Sequence, residues 1–482
     1  MMTMRTKPRT GGLAVLLLSC GLVAGCTVGP DYHRPDAPVP ARYKDLLAPP
    51  KGWSRARPDD GHGGGQWWAV FNDPTLNGLE ARVRLNNQTI KEAAAAYRQA
   101  AVLVAEARAG LYPTLSATGS FQRGKQLGLT SNSASVEPSA SWDLDVWGRI
   151  RRSVESSVAS AQASAADLAN AELSEQAVLA ETYFDLCYQD ALIDLLQRTV
   201  TAYQKSLTIT QNQETYGVAA LSDVITARAQ LDAARSSLIS AGVLRAEYEH
   251  AIAALVGVPA ANFALPKRPL PFSIPVVPVA VPSTLLQRRP DIAAAERSMQ
   301  AANAEIGVNV AAYYPDVSLS ALFGYSADPV QDLFNVANQV WSLGTSVTET
   351  LFEGGLRHAE VAAAKAAYDE SVATYRQTVL SAFQQVEDQL SSLRILAQQA
   401  QVQTQADKDA EQAVAIALNE YQAGTQAYTS VITEQTLLLS DQETNLSIDN
   451  SRLQATVSLA EALGGGFDAT MLPAHPAGIG PY

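Results

Sequence analysis

From Thr114 to Phe121 apolar or small residues take every second place: Leu115, Ala117, Gly119 and Phe121 alternate with Thr114, Ser116, Thr118 and Ser120. The rhythm returns at 136–146, where Val136, Pro138, Ala140, Trp142, Leu144 and Val146 alternate with Glu137, Ser139, Ser141, Asp143 and Asp145. It appears again at Val317, Leu319, Ala321, Phe323 and Tyr325, and at Trp341, Leu343, Thr345 and Val347. Period two predicts strands, at about 113–122, 135–147, 315–326 and 340–352. An apolar face backed by a small polar one suits a barrel wall between lipid and water. A half-buried sheet in a soluble protein has the same pattern, so both stay open here. Glu349 stands where Trp142 stands in the earlier strand, and it is expected near a barrel end.

Outside these four segments the chain is rich in alanine, glutamine and serine, and its period changes to that of helix. Tyr368, Val372, Tyr375, Val379, Ala382 and Val386 follow the four-three spacing of a coiled-coil seam. Gly148 and Gly217 bracket one helical stretch, Gly355 and Gly424 another of equal length. Helices over 148–216 and 355–423 would each reach roughly 100 Å. Return helices are expected at 221–256 and 428–463, about half as long. A helix at roughly 76–111 is placed to stack end to end on the first of them and match the long one.

These elements come in two copies. Tyr112-Pro113 matches Tyr314-Pro315, WGRIRR around Gly148 matches GGLRHA around Gly355, and YGVAALSDVITARAQL around Gly217 matches AGTQAYTSVITEQTLL around Gly424. A register held over more than a hundred residues indicates duplication. The expected organisation is a leader at 1–25, an extended strap at 26–75, repeat one at 76–265, a linker at 266–290, repeat two at 291–466 and a tail at 467–482. Seven prolines between 266 and 290 predict that the linker is extended and free of helix.

Residues 5–9 carry Arg5, Lys7 and Arg9, and an apolar run from Leu13 to Ala24 follows, short for a membrane span. It ends in Val23-Ala24-Gly25-Cys26, which has the look of a lipobox, with Cys26 as the lipidated first residue of the mature chain. An ordinary secretory signal is the alternative, and Cys20 is a rival lipid site in a poorer cleavage context. Acyl chains contribute ~0.8 kcal/mol per buried methylene. Thr27 in the next position favours the outer membrane as destination. Without residues 1–25 the formal charge goes from −13 to −16, a poor basis for binding nucleic acid. Cys187 lies in the apolar stretch YFDLCYQ, the five histidines are dispersed, and no nucleophile, zinc or nucleotide motif appears. Neither an enzyme nor a bound cofactor is expected. With only Met299 and Met471 left after processing, a methionine relay for copper or silver is disfavoured.

Four strands leave two open edges, which hydrocarbon does not tolerate, so a barrel requires several chains. Two chains would supply eight strands around a filled interior; three would supply twelve around a lumen.

The motifs CTVGPDYHRP (26–35), WW..FNDPTLNGL (67–79), RRPDI..AE (288–296) and the paired glycine turns resemble the outer-membrane efflux proteins. This is the TolC-like family, here in its lipoprotein branch of the OprM/NodT type. The resemblance implies a fold of mixed α and β: a transmembrane β-barrel of four strands per chain, twelve in the homotrimer, continuous with a periplasmic α-helical barrel. It also implies passive export of drugs or other small toxic molecules with a periplasmic adaptor (a membrane fusion protein) and an inner-membrane RND pump. By the same resemblance Gly217, Val218, Gly424 and Thr425 are adaptor-docking tips, though both glycines are equally explained as helix C-caps. Where relatives carry an aspartate at the periplasmic aperture this chain has Thr433. The aperture candidates are therefore Thr429, Thr433 and Thr436, with charge from Asp223 or Glu434. A channel for secreted polypeptides in a type I system is the alternative within the class, and a periplasmic coiled-coil structural protein is the alternative outside it.

Overall fold

The protein is described by a computed structural model covering residues 27–44, 66–126, 128–271, 274–275 and 282–474. Strands β1 (Thr114–Gln126), β2 (Leu129–Leu144), β3 (Asp316–Ala327) and β4 (Gln339–Thr348) form one antiparallel sheet in chain order. Its register puts Leu115 beside Ala140, Ala140 beside Ala321 and Ala321 beside Leu343, so the four apolar alternations share one face. The opposite face carries the serines, with hydroxyl pairs Ser116–Ser139 and Ser120–Ser135 at 2.9 Å.

Strand ends differ from the expected ones for local reasons. The first hairpin extends through Gln122–Lys125, paired with Thr130–Ser133, because backbone bonding continues where apolar alternation stops. Strand β4 ends at Thr348, short of 352. Glu349 and Glu353 turn instead to Arg357, at 2.8 and 2.9 Å, and Thr350 O accepts from the same guanidinium. Glu349 thus lies just past the end of the strand.

The helices are α1 (Pro74–Asn86), α2 (Gln88–Ala109), α3 (Arg149–Thr215), α4 (Leu221–Leu255), α5 (Pro282–Arg288), α6 (Pro290–Ala311), α7 (Leu356–Gln422) and α8 (Tyr428–Ala462). Helices α3 and α7 each have 67 residues, α4 and α8 each 35. Gly148 and Gly355 begin the long pair in left-handed conformation, which glycine adopts without steric cost.

The helix expected at 76–111 is two helices. Asn87 is extended (φ −57°, ψ 134°), and its side chain accepts from Ile90 N while donating to Leu255 O and Glu175. The end of α4 therefore abuts the start of α2, and both lie along α3. Arg289 has the corresponding place between α8 and α6, donating to Ala462 O at 3.0 Å.

The linker is not helix-free as expected. Helix α5 starts at Pro282 and α6 at Pro290, because proline in the first helical position gives up an N–H that would have no helical partner.

Buried along α7 are Tyr375, Val379, Ala382 and Val386, with Tyr368 and Val372 half-buried at the same seam. A second core forms where α1 and the turn Trp67–Phe71 pack on Leu179, Phe184 and Ile252. Cys187 is buried there, and burial pushes its thiol up to about 12.

Residues 27–44 run extended over the helices. Val28 N donates to Trp147 O, and Gly29 packs so closely on Gly307 that a Cβ on it would come within 2.5 Å of the Gly307 Cα. Buried Arg152 lies across this crossing, donating to Val28 O, Gly29 O and Asp31. Further along, Arg34 donates to the Tyr375 hydroxyl at 2.7 Å, and Tyr43 is buried against Phe383. Among the described residues no helix is long and apolar enough to cross a membrane.

Candidate functional site

The sheet is built for two different solvents. Its apolar face is bare: Leu115 is 79 % exposed, Trp341 74 % and Leu343 77 %. Covering such a face with lipid removes it from water, at ~25 cal/mol per Å² of apolar surface. Strands of 10 to 16 residues are long enough to cross a hydrocarbon core when tilted. Aromatic rings gather where the sheet passes into helices. Trp147 stacks on Tyr314 at 4.8 Å and donates its indole N–H to Pro315 O, while Trp142 donates to Leu111 O. Rings with an apolar body and a polar edge suit the boundary between hydrocarbon and water.

At the far end of the helices the two glycine turns are alike in detail. Gly217 has φ 75° and Gly424 φ 73°. Val218 N reaches back to Gln213 O and Gly217 N to Glu214 O; Thr425 N reaches Glu420 O and Gly424 N Tyr421 O. Each is a Schellman cap, satisfying the last carbonyls of a 67-residue helix. They differ in surface chemistry. The first tip exposes Tyr216, Val218, Leu221 and Ile225, whereas the second exposes polar Thr425 and Gln426.

The aperture candidates fall into three environments. Thr429, Thr433 and Thr436 are exposed at four-three spacing on one face of α8, and Thr433 Oγ1 donates to Thr429 O. Glu434 is half-buried and, by helical periodicity, points away from that face. Asp223, half-buried in the first turn of α4, lies close to the other hairpin. Burial first, then the Asp223 charge among its neighbours, pushes up the Tyr421 hydroxyl, and Tyr428 rises to about 12 by burial, Tyr421 and Asp223. Tyr421 and Tyr428 pack at 5.1 Å, and Gln435 donates to Ser206 to tie the hairpins below them.

Cys26 lies outside the described residues. Thr27, the next residue, packs on Gly148 at the foot of the sheet. Sequence reasoning missed three residues that organise this scaffold: Arg152 under the strap, and Asn87 and Arg289 at the helix junctions. Only the Asn-Asn pair at 86–87 carried a cap signal.

An exposed apolar sheet joined to long polar helices defines an outer-membrane protein with a large extramembrane extension. The outer membrane efflux protein family matches residues 80–258 and 281–465, and the chain belongs to that family. It is 29 % identical over 474 residues to the probable efflux pump outer membrane protein TtgC of Pseudomonas putida, covering 95 % of this chain and 96 % of that one. It is 30 % identical over 468 residues to the pyoverdine export outer membrane protein OpmQ of Pseudomonas aeruginosa, covering 94 % and 97 %. A solved structure of the outer-membrane channel OprN superposes with a TM-score of 0.85 at 29 % identity, covering 91 % of this chain and 99 % of that one. The protein is the outer-membrane channel component of an efflux system.

Proposed function

We propose that three copies of this duplicated chain close a twelve-stranded barrel and a continuous helical tunnel, through which small toxic molecules leave the periplasm passively. The observation that carries this is the sheet of one chain: its outer strands β1 and β4 each pair on one side only, and large apolar side chains on one face, Leu115, Phe121, Trp341 and Leu343 among them, are exposed. Open edges in hydrocarbon leave several kcal/mol per backbone group unrecovered, so closure by further copies is the stable arrangement. A soluble half-buried sheet would instead have a partner layer over that face. Relatives are named for antibiotics, toluene and pyoverdine, a range that fits a wall selecting little while an inner-membrane RND pump chooses the cargo. The tips at Gly217-Val218 and Gly424-Thr425 would receive a periplasmic adaptor, the first through an apolar surface and the second through a polar one. Lipid on Cys26 would enter the membrane beside the foot of the sheet, since Thr27 sits at Gly148. The test is to reconstitute the purified protein in planar bilayers and measure its mass in detergent. Trimers with discrete conductance are expected; a soluble monomer without conductance refutes the reading.

A further inference from the structure

Where α6 begins and α8 ends, the helices leave a recess of about 370 Å³. Such a volume falls within the ~300–1,000 Å³ of small-molecule sites. On α7, Arg376 donates to Asp36 O of the strap, and Gln385, which lines the recess, comes nine residues later. At ~100° per residue those two side chains lie half a turn apart. Gln385 thus stands on the side of α7 turned away from the strap, and the inference rests on the trimeric reading with that side lining the tunnel.

Its chemistry is asymmetric. Arg289 looks like an anion site, but three of its five N–H donors are engaged: Nε and Nη2 bind the two oxygens of Asp291 at 3.0 and 2.6 Å, and Nη1 binds Ala462 O. These two charges neutralise each other. That leaves the carboxyl of Glu461, which is bonded by Ser174 and faced by Glu181 from α3, by Arg289 and by Asp291 of α6; burial first, then the Glu181 charge, raises its acid. Leu173 supplies an apolar floor, and the amides of Gln385 and Gln389 stand at the rim. One carboxylate without a cation of its own, among amides, is too few ligands for a hard metal ion, and among the described residues no metal-holding group of three occurs.

We propose that this recess is a transit-binding site for organic monocations, which place the positive group against Glu461 and the apolar body on Leu173. Cargo would pause there on its way out, and the tunnel would hold ammonium compounds in preference to sulfonates of equal size.

The test is calorimetry on the full-length protein in detergent, with benzyltriethylammonium as probe and benzenesulfonate as its anionic counterpart. The ammonium should bind once per chain and the sulfonate not at all. Glu461→Gln, nearly isosteric, should weaken ammonium binding about tenfold or more, the loss of one ionic contact in a partly dry site. Gln385→Glu, at an exposed position, should tighten it. Equal affinity of wild type and E461Q, or sulfonate binding as tightly as ammonium, overturns the proposal. Bilayer conductance separates the two readings. Intact conductance without ammonium binding removes the recess alone, whereas absence of conductance and trimer removes the tunnel interior on which the site depends.

Discussion

Glu80 on α1 is fully buried, and neither carboxylate oxygen has a hydrogen-bond partner among the described residues. Burial pushes its acid up from 4.5 to about 9, so the folded protein keeps the proton at neutral pH. A raised folded value means stability is fully present below the unfolded value and falls as pH rises toward the folded one. At pH 7 the group lies about 2.5 pH units above its unfolded value, a cost of about 3 kcal/mol per chain at 1.36 kcal/mol per unit. Glu80→Gln removes the proton requirement while preserving shape and polarity. It should be near neutral at pH 4, and its advantage should grow by about 1.4 kcal/mol per pH unit until about 9. An unfolding entropy of ~2.1 cal/mol/K per residue gives roughly 1 kcal/mol/K for a chain of this size, so the neutral-pH gain is about 3 °C in Tm. Calorimetric scans of both proteins across that pH range are the assay. A shift of equal size at acid and neutral pH, or a destabilised variant at neutral pH, would refute the claim that Glu80 is buried as the neutral acid.

Arg152→Met should release the front of the strap. Two carbonyl contacts from a buried guanidinium are worth about 2–3 kcal/mol together, and hydrogen exchange at the Val28 amide should accelerate roughly a hundredfold; unchanged protection counts against the clamp. Gly424→Ala, at φ 73°, should cost about 1 kcal/mol and lower the melting temperature without changing conductance. Asp223→Ala should reduce the preference for cations over anions in bilayers, whereas Glu434→Ala, off the threonine face, should not. Reversal potentials measured across a salt gradient decide this, and an unchanged value for Asp223→Ala removes that residue from the aperture.

How much of this was legible in the chain depends on the range of the determining contact. Strand phase was readable because each residue's face follows from its neighbours two places away, and Leu115, Ala140, Ala321 and Leu343 do share one face. Strand ends were not, since β4 stops where Arg357 captures Glu349 and Glu353. Glycine spacing marked the tips, because positive φ is a local demand that glycine meets best. The nearness of Asp223 to Tyr421 and Tyr428 was invisible, being a contact between hairpins about two hundred residues apart. Proline counting misled at 282 and 290, where the position of each residue mattered and not its frequency.

The junctions at Asn87 and Arg289 explain how half-length helices sit beside full-length ones in one wall. A 67-residue helix spans about 100 Å. Helix α2 followed by α4 has 22 and 35 residues, about 86 Å at the same rise, and the joint at Asn87 supplies more. Each joint brings together a helix start with free N–H groups and a helix end with free carbonyls, the groups that a buried end must pair. Asn87 serves both ends with one side chain, accepting from Ile90 N and donating to Leu255 O. Arg289 serves the carbonyl end through Ala462 O, while Asp291 accepts from Ile292 N. The charged solution needs Asp291 to neutralise the guanidinium, and that requirement shapes the recess beside Glu461. Asn87 joins its two helices without any ion pair of its own. Its charged contact is the Glu175 carboxylate, which accepts from Asn87, so the second junction differs in placing a guanidinium–carboxylate pair where the first has a neutral amide.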